Sequence, residues 1–203
     1  MEYGIPVPKF SVAQTPEEAI QFSEEIGYPV VLKVVSPQVV HKTDVGGVIT
    51  GLGDSKEVGD AYQRILANVK KNAPDAKVVG MLVEEMAPPS TEVIIGATRN
   101  PQFGPVLMFG LGGILVEILK DVSFRVAPIN PSDALEMITE LKAYPILKGY
   151  RNQPPADIDA LLEILLKVSS LVTERPEISG VDLNPVLVYE KGAKAVDARV
   201  SLG

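Results

Sequence analysis

The sequence predicts an α/β protein composed of two α+β lobes, and three observations support that fold class. Segments with strand-like and helix-like patterns alternate along the chain. The 203 residues, of which 46% are apolar, suffice for a sizeable core and for one domain or two small ones. An acidic, proline-containing segment at residues 84–89 begins in the last residues of a predicted strand and is a plausible boundary region. We assign residues 1–79 to a small lobe and residues 80–203 to a large lobe.

The first elements of the small lobe are a helix and a buried strand. Thr15 can cap a helix, Pro16 suits the first helical position, and Glu18 completes a capping-box pattern. Gly27 is typical of the end of such a helix. The apolar run VVLKVV at residues 30–35 then predicts a buried strand, interrupted by one lysine.

The middle of the chain continues the alternation. Residues 45–50 predict a second strand, and residues 54–72 predict a helix because their apolar side chains recur at helical spacing. Residues 78–86, 92–98 and 105–109 predict three further strands. These strands open the large lobe.

Two helices and a hairpin complete the prediction. Asn130 and Pro131 open a helix, and residues 155–173 form the strongest helical pattern of the chain. Residues 181–200 read as a β-hairpin that turns at residues 191–192, Lys-Gly.

Composition narrows the class of partners. The net charge of −7, from 19 basic and 26 acidic side chains, argues against general nucleic-acid binding, which relies on basic patches. The chain has no cysteine, its start has no signal-peptide pattern, and its apolar runs are far shorter than the roughly 20 residues that span a bilayer. We therefore expect a cytoplasmic protein with neither a nucleic acid nor a membrane as partner.

Three residue types in the small lobe are candidates for chemistry. Lys33, flanked by apolar residues, either faces a cleft, extends to water at a sheet edge, or pairs with a carboxylate. His41 is the single histidine; a neutral imidazole can carry a phosphoryl group, although a surface-loop histidine is the alternative. Gly46 and Gly47 follow, and glycines allow the backbone to approach a ligand closely or to take a positive φ.

Glycines and acids recur where the next strands begin and end. The segment FGLGG at residues 109–113 could cradle phosphates through backbone N–H groups or simply form a tight turn. It is not a Walker A loop, because no Gly-Lys-Ser/Thr follows. Glu84, Glu85 and Glu92 could bind the amino or ribose groups of a nucleotide, hold a metal, or form a solvated face.

Three polar residues of the predicted hairpin are geometrically informative. Asp182 and Asn184 are two residues apart on one strand and therefore share a face. With the turn near residue 191, Asn184 and Asp197 fall close to opposite each other, where Cβ atoms are roughly 4.5–5.5 Å apart. Oxygen ligands converging from two strands suit Mg²⁺. A polar face with turn chemistry before Pro185 is the alternative.

Taken together, these features resemble the ATP-grasp β subunit of ADP-forming acetyl-CoA and acyl-CoA synthetases, which are related to succinyl-CoA synthetase. The order and spacing of the matching segments hold nearly from end to end. The resemblance implies one ATP-grasp unit of two lobes with the nucleotide bound between them. The segments are YGIPVPKF, YPVVLKVVSPQVVHKTDVGGV, VEEMAPPSTEVIIGATRNPQFGPVLMFGLGG, VEILKDVSFRVAP and VDLNPV.

The resemblance implies roles for the residues that match its motifs. Lys33 is similar to the strand lysine that contacts nucleotide phosphate, and His41 to a relay histidine that passes phosphate to ADP. Gly46 and Gly47 match a mobile loop that covers the phosphates. The linker residues implied to bind the base of ATP or ADP are Glu84, Glu85 and Met86. Glu85 and Met86 would do so through backbone groups.

The large lobe would complete the site. Glu92 resembles the acidic residue near the ribose. Asn184 and Asp197 correspond to the Mg²⁺ ligands. The glycines that match the second glycine turn are Gly110, Gly112 and Gly113.

The implied reaction is acyl-CoA + ADP + phosphate ⇌ carboxylic acid + CoA + ATP. This chain would perform the nucleotide half only, exchanging phosphate between ATP and a phosphohistidine. We expect it to need an α subunit that carries the CoA-binding and phosphohistidine domains, in an α2β2 assembly by family analogy.

Three other functions are weighed against this one. Another ATP-grasp carboxylate ligase would bind the carboxylic acid itself and need no partner. A regulatory ATP-grasp-like domain, such as those fused to protein acetyltransferases, is disfavoured because Lys33, His41, Asn184 and Asp197 are present. An interaction subunit that only stabilises its partner would bind no nucleotide.

Overall fold

The structure is a computed structural model that describes residues 2–39, 41–112, 120–150 and 154–203. The strands are β1 (Phe10–Ala13), β2 (Val30–Val35), β3 (Val48–Leu52), β4 (Gly80–Glu85), β5 (Thr91–Asn100), β6 (Gly104–Leu111), β7 (Val122–Val126), β8 (Ile178–Val188), β9 (Ala193–Ala195) and β10 (Ala198–Leu202). The helices are α1 (Pro16–Ile26), α2 (Ser55–Asn72), α3 (Pro131–Thr139), α4 (Tyr144–Leu147) and α5 (Ile158–Glu174). Within these described ranges, no helix combines the length and the hydropathy that crossing a membrane requires.

The chain divides into two compact units, each with its own sheet and core. One unit, Pro8–Ala87, contains a four-stranded sheet in the order β1-β4-β2-β3. The other, Met1–Val7 with Pro88–Gly203, contains a six-stranded sheet in the order β10-β8-β5-β6-β7, with β9 paired to β8. We call them the four-stranded unit and the six-stranded unit.

This division differs from the predicted boundary after Val79. Strand β4 pairs with β1 and with β2, so residues 80–87 belong to the four-stranded unit. The predicted boundary would separate β4 from β1 and β2 of the same sheet, because the sequence alone did not reveal the strands with which β4 pairs. The acidic, proline-containing segment noted above, residues 84–89, does span the observed division at Ala87 and Pro88.

Helices α1 and α2 cover one face of the four-stranded sheet. Thr15 caps α1 as predicted, accepting from the Glu18 N–H group at 3.2 Å, but the Glu18 carboxylate accepts from Gln14 rather than from the cap residue. Asp54 caps α2. The buried residues between helices and sheet include Leu32, Val34, Val58, Ile65, Met81 and Val83. These side chains form a separate apolar core.

In the six-stranded unit, α3 and α5 pack on one face of the sheet. The Asn130 side chain accepts hydrogen bonds from the N–H groups of Ser132 and Asp133, and the Asp133 carboxylate accepts one from the Asn130 N–H group. Helix α3 therefore starts where the sequence predicts. Helix α5 begins at Ile158, three residues later than predicted. The largest buried side chains of this core are Phe109, Ile95, Leu107, Leu111, Met137, Ile138, Leu147, Leu161 and Ile164.

Each sheet has a second face opposite the described helices, which we call its helix-free face. In the four-stranded unit this face carries alternate residues of β1, β4 and β2. In the six-stranded unit a row of directly paired residues crosses this face. Its members are Arg199, Asp182, Gly96, Met108 and Phe124.

Three short elements, β1, β7 and α4, were not predicted, and one strand begins later than expected. In β1 and β7 the large apolar side chains of Phe10 and Phe124 are exposed and face away from the core, whereas apolar strand residues usually face it. Helix α4 has four residues, too few for a helical period to register. Strand β3 begins at Val48 instead of residue 45, because residues 42–46 form a turn.

Asp157 joins the start of α5 to the turn between β8 and β9. One carboxylate oxygen accepts from the Ala160 N–H group at 3.0 Å, and the other from the Gly192 N–H group at 2.7 Å. The Asp157 N–H group donates to the Tyr189 carbonyl at 2.8 Å. The bonds from Gly192 and Ala160 lower the pKa of Asp157, partly opposed by desolvation.

Replacement of Asp157 tests this junction. Asp157→Asn is expected to lower the free energy of unfolding at neutral pH by about 1 kcal/mol, because an amide cannot accept both bonds. A lowered folded-state pKa adds stability that is full above the ordinary aspartate pKa and disappears as the pH falls through the folded value. Urea unfolding between neutral and strongly acidic pH measures the difference.

The matched control is Asp159→Asn, which removes an exposed charge from the first turn of the same helix. Its effect on unfolding should be smaller than that of Asp157→Asn at neutral pH. A gap between wild type and Asp157→Asn that stayed constant down to strongly acidic pH would contradict the assignment.

Candidate functional site

Lys33 forms an ion pair with Glu84 on the helix-free face of the four-stranded sheet. Strand β2 lies between β4 and β3, so Lys33 is not at a sheet edge. Its direct partner in β4 is Leu82, and Glu84 is the diagonal neighbour that a long side chain reaches. The two side chains are only 13% and 8% exposed. Of the three positions considered for Lys33, the structure shows pairing with a carboxylate.

The predicted base-binding linker, Glu84 to Met86, has its own internal partners. Glu84 and Glu85 are the last residues of β4. The Glu85 N–H group donates to the Lys9 carbonyl at 2.8 Å, and the Met86 N–H group donates to the Pro29 carbonyl at 3.2 Å. These two donors, assigned to a nucleotide base from the sequence, are thus engaged by the chain itself. The next N–H group is that of Ala87, since prolines follow it.

His41 is exposed and lies in the connection between β2 and β3, one residue from a position outside the described residues. The turn that follows it closes on itself: the Gly47 N–H group donates to the Lys42 carbonyl at 2.8 Å, and that of Gly46 to the Thr43 carbonyl at 3.0 Å. Gly46 has a φ of 67°, which favours glycine.

Helix α2 holds this turn through two asparagine side chains. The Asn68 amide donates to the Gly46 carbonyl at 3.0 Å, and the Asn72 amide donates to the Val45 carbonyl at 3.2 Å. The two asparagines are four residues apart and therefore share a helix face. The sequence analysis did not identify them, although an asparagine pair at this spacing on an amphipathic helix was visible in the sequence.

In the six-stranded unit, Glu92 and Gly112 lie against each other. The Gly112 N–H group donates to the Glu92 carbonyl at 2.7 Å, and a Cβ at Gly112 would lie 2.9 Å from the Glu92 Cβ. The Glu92 side chain is exposed. Gly110 is buried inside β6, paired with Ile94, so it belongs to a strand and not to a turn. Gly113 lies outside the described residues.

Asn184 and Asp197 meet as the sequence predicts. The Asn184 N–H group donates to the Asp197 carbonyl at 3.1 Å, next to the pairing of β8 with β10. Both side chains are exposed. The pairing of β8 with β5 shifts register here, because Val186 opposes Val93 while Leu183 opposes Ile95. The extra residue is a β-bulge, a feature that often redirects side chains at functional sites.

Asp182 and Arg199 form the neighbouring pair on the same two strands. They are directly opposite each other in the β8–β10 register, and both are exposed. Desolvation raises the pKa of Asp182; the positive charge of Arg199 acts in the opposite direction, and the negative charge of Asp197 adds to the rise. Four polar side chains therefore occupy one corner of the sheet in two cross-strand pairs.

The chemistry of this corner fits Mg²⁺ bound together with phosphate. Among the described residues, no group of three or more His, Cys, Asp or Glu side chains is arranged to hold a metal ion. Mg²⁺ commonly takes only one or two carboxylates and completes its octahedron with water and phosphate oxygens. The amide oxygen of Asn184 and the carboxylate of Asp197 are hard oxygen donors of this kind. The donor set suits a metal that arrives with its nucleotide.

The predicted site residues thus fall into groups within each unit. The four-stranded unit brings Lys33 to Glu84 and holds the glycine turn after His41 against α2. The six-stranded unit brings Asn184 to Asp197 and Glu92 to Gly112. Three residues near these groups were not predicted from the sequence: Asn68, Asn72 and Arg199.

Comparison with known proteins identifies the class of this arrangement. The model of the ATP-grasp domain family matches residues 1–202, so the chain belongs to the ATP-grasp family. Within that family it is similar to subunit β of acetate–CoA ligase [ADP-forming] I from Pyrococcus furiosus, with 56% identity over 200 residues. That match covers 98% of this chain and 86% of the subunit. The predicted ATP-grasp fold and the resemblance are confirmed.

Two solved structures of an acetyl-coenzyme A synthetase 1 from Candidatus Korarchaeum cryptofilum are similar to the whole chain. One, in complex with coenzyme A, Ca-AMPCP and HgCl⁺, has a TM-score of 0.98 and 54% identity, and 88% of its chain is covered. The other contains coenzyme A and Mg-AMPPCP, with its phosphohistidine segment pointing towards the nucleotide binding site. Its TM-score is 0.86 at 51% identity, with 87% of its chain covered.

Replacement of Gly47 tests how tightly the turn after His41 is packed. In Gly47→Ala the new Cβ would lie 2.5 Å from Val34 Cγ1 and 2.9 Å from the Lys42 carbonyl oxygen. We expect the free energy of unfolding to fall by about 1–3 kcal/mol, because the neighbours must move. Urea unfolding of the purified chain measures the change.

Gly53→Ala is the matched control at the end of β3. The atom nearest to its new Cβ is the Glu57 carboxylate oxygen at 3.5 Å, an ordinary contact. Its unfolding midpoint should equal or slightly exceed that of wild type. Equal midpoints for the two alanine variants would show that the turn is not packed as described.

Proposed function

We propose that this chain is the nucleotide-binding β subunit of an ADP-forming acetyl-CoA or acyl-CoA synthetase. It would transfer phosphate between ATP or ADP and a phosphohistidine within the reaction acyl-CoA + ADP + phosphate ⇌ acid + CoA + ATP. The observation that carries the proposal is the Asn184–Asp197 pair: Asn184 on β8 meets Asp197 just before β10, and the family resemblance assigns the metal ligands to these two positions. The similarity to the Pyrococcus furiosus β subunit supports it.

Phosphoryl transfer needs positioning and charge neutralisation more than covalent chemistry from the protein. In the proposal, Lys33 supplies a positive charge to the nucleotide phosphates, and Glu84 holds that ammonium group in place beforehand. Asn184 and Asp197 hold Mg²⁺, which neutralises phosphate charge when bound. Glu92 accepts hydrogen bonds from the ribose hydroxyls, and the linker from Glu84 to Met86 contacts the base through backbone groups other than the two engaged N–H groups.

His41 is proposed as a relay for the phosphoryl group. Its imidazole is exposed, so a phosphate donor or acceptor can reach it. The turn that follows is held to α2 by the side chains of Asn68 and Asn72. A phosphohistidine is acid-labile, and this property separates it from phosphoesters in experiments.

An α subunit with the CoA-binding and phosphohistidine domains is the proposed partner, in an α2β2 assembly. The Korarchaeum structures contain coenzyme A and a phosphohistidine segment, and the Pyrococcus relative is itself a β subunit. We propose a cytoplasmic location, where acyl-CoA, ADP and phosphate are available.

Labelling with γ-labelled ATP tests the relay. The chain is incubated with its α subunit, Mg²⁺ and labelled ATP, and native His41 is compared with His41→Asn. We expect acid-labile label on this chain that the His41→Asn variant loses. Denaturing gels run at alkaline pH, with and without a prior acid step, separate the two subunits and identify the linkage.

Two other results have distinct meanings. Label on the α subunit alone, undiminished in His41→Asn, would reduce His41 to a loop residue and leave the nucleotide-binding function intact. Absence of label from both subunits, together with absence of nucleotide binding to this chain, would refute the enzyme function altogether.

The metal ligands are tested separately through the Mg²⁺ dependence of nucleotide binding. Asp197→Asn is expected to raise the Mg²⁺ concentration for half-maximal ATP binding at least tenfold, because a neutral amide binds the cation more weakly. Calorimetric titration of ATP at several Mg²⁺ concentrations provides the measurement. Asp159→Asn, a change of the same chemistry on α5, should leave this dependence unaltered; equal curves for both variants would contradict the metal site.

A further inference from the structure

Arg199 occupies a position for which sheet stability gives little reason. It lies on β10, an outer strand of the six-stranded sheet, directly opposite Asp182. Both side chains are exposed, and opposite charges that face each other at exposed strand positions contribute only about 0–1 kcal/mol to folding.

The neighbours of Arg199 are the residues proposed to hold Mg²⁺. Asp197 is two residues before Arg199 in the chain, and Asn184 is two residues from Asp182 on β8. Asn184 lies opposite Asp197, as Asp182 lies opposite Arg199. This corner of the sheet thus presents metal ligands and a cation side by side, which is the combination that a phosphoryl group requires.

We propose that Arg199 binds the phosphoryl group during its transfer between the nucleotide and histidine. The planar guanidinium group donates two parallel hydrogen bonds to phosphoryl oxygens, a geometry that lysine cannot reproduce. Asp182 orients the guanidinium before the phosphoryl group arrives. This inference rests on the proposed phosphoryl-transfer function.

The chemistry of the step balances without another reactant. The bond between the terminal phosphorus of ATP and the bridging oxygen breaks, and its electron pair stays on ADP. A phosphorus–nitrogen bond forms from the lone pair of a neutral imidazole nitrogen, and the imidazole proton is later released to water. Arg199 donates hydrogen bonds throughout and exchanges no proton, because a guanidinium group stays protonated in proteins.

ADP–ATP exchange in the complex with the α subunit isolates this step, because it needs neither CoA nor an acid. Arg199→Gln is expected to lower the exchange rate about a hundredfold or more, the usual effect of losing one donor to a transition state. The Kd for Mg-ATP and the thermal midpoint should stay within about threefold and about 2 °C of wild type. Arg199→Lys should restore part of the rate, because lysine keeps the positive charge but cannot donate the two parallel hydrogen bonds of a guanidinium group.

Arg125→Gln is the matched control. Arg125 also lies on an outer strand of this sheet and pairs with a carboxylate, Glu140, but on the helix-covered face. Its loss should leave the exchange rate unchanged.

Three outcomes would overturn the inference, each in a different way. Exchange by Arg199→Gln within threefold of wild type would remove Arg199 from the step and leave the proposed function standing. A fall in thermal midpoint that accounts for the lost activity, with Arg199→Lys no better than Arg199→Gln, would make Arg199 a structural partner of Asp182. Absence of exchange in the wild-type complex would refute the proposed function, and the inference with it.

Discussion

The alternation of side chains along β-strands is the constraint on which this protein depends. Each strand directs every second residue to a core under the helices and the others to the helix-free face. Lys33 and Glu84 lie on that face in one sheet, and Asp182, Asn184 and Arg199 lie on it in the other. A shift of pairing by a single residue would exchange the core for the site, so packing and chemistry specify the same register.

Much of the fold could be predicted from sequence because caps and periodicity are local signals. The starts of α1, α2 and α3 follow from Thr15, Asp54 and Asn130, whose side chains each accept from the first turn. Strand β7 could not be recognised, because its apolar Phe124 is exposed while its polar Ser123 is buried. Its sequence pattern would predict that Phe124 faces the core and Ser123 faces solvent. The strand is recognised only from its pairing with β6 in the structure.

The candidate site was predictable where its geometry depends on neighbours in sequence and unpredictable where it depends on the sheet. The pairing of Asn184 with Asp197 followed from counting residues back from the turn. The partners of Glu85 and Met86 did not, because they are carbonyls of Lys9 and Pro29, more than fifty residues away in the chain. Backbone donors can be assigned to a ligand only when the chain's own carbonyls have been accounted for.

The placement of Asn184 and Asp197 also links ligand binding to the integrity of the sheet. Strand β10 is an outer strand, and its residues are exposed along its whole length. A cation held by Asn184 of β8 and by Asp197, the residue immediately before β10, would link the two strands. Amide hydrogens of β10 would then exchange with solvent more slowly when nucleotide and metal are bound. The exchange rate of this outer strand would therefore report whether the neighbouring Asn184–Asp197 site is occupied.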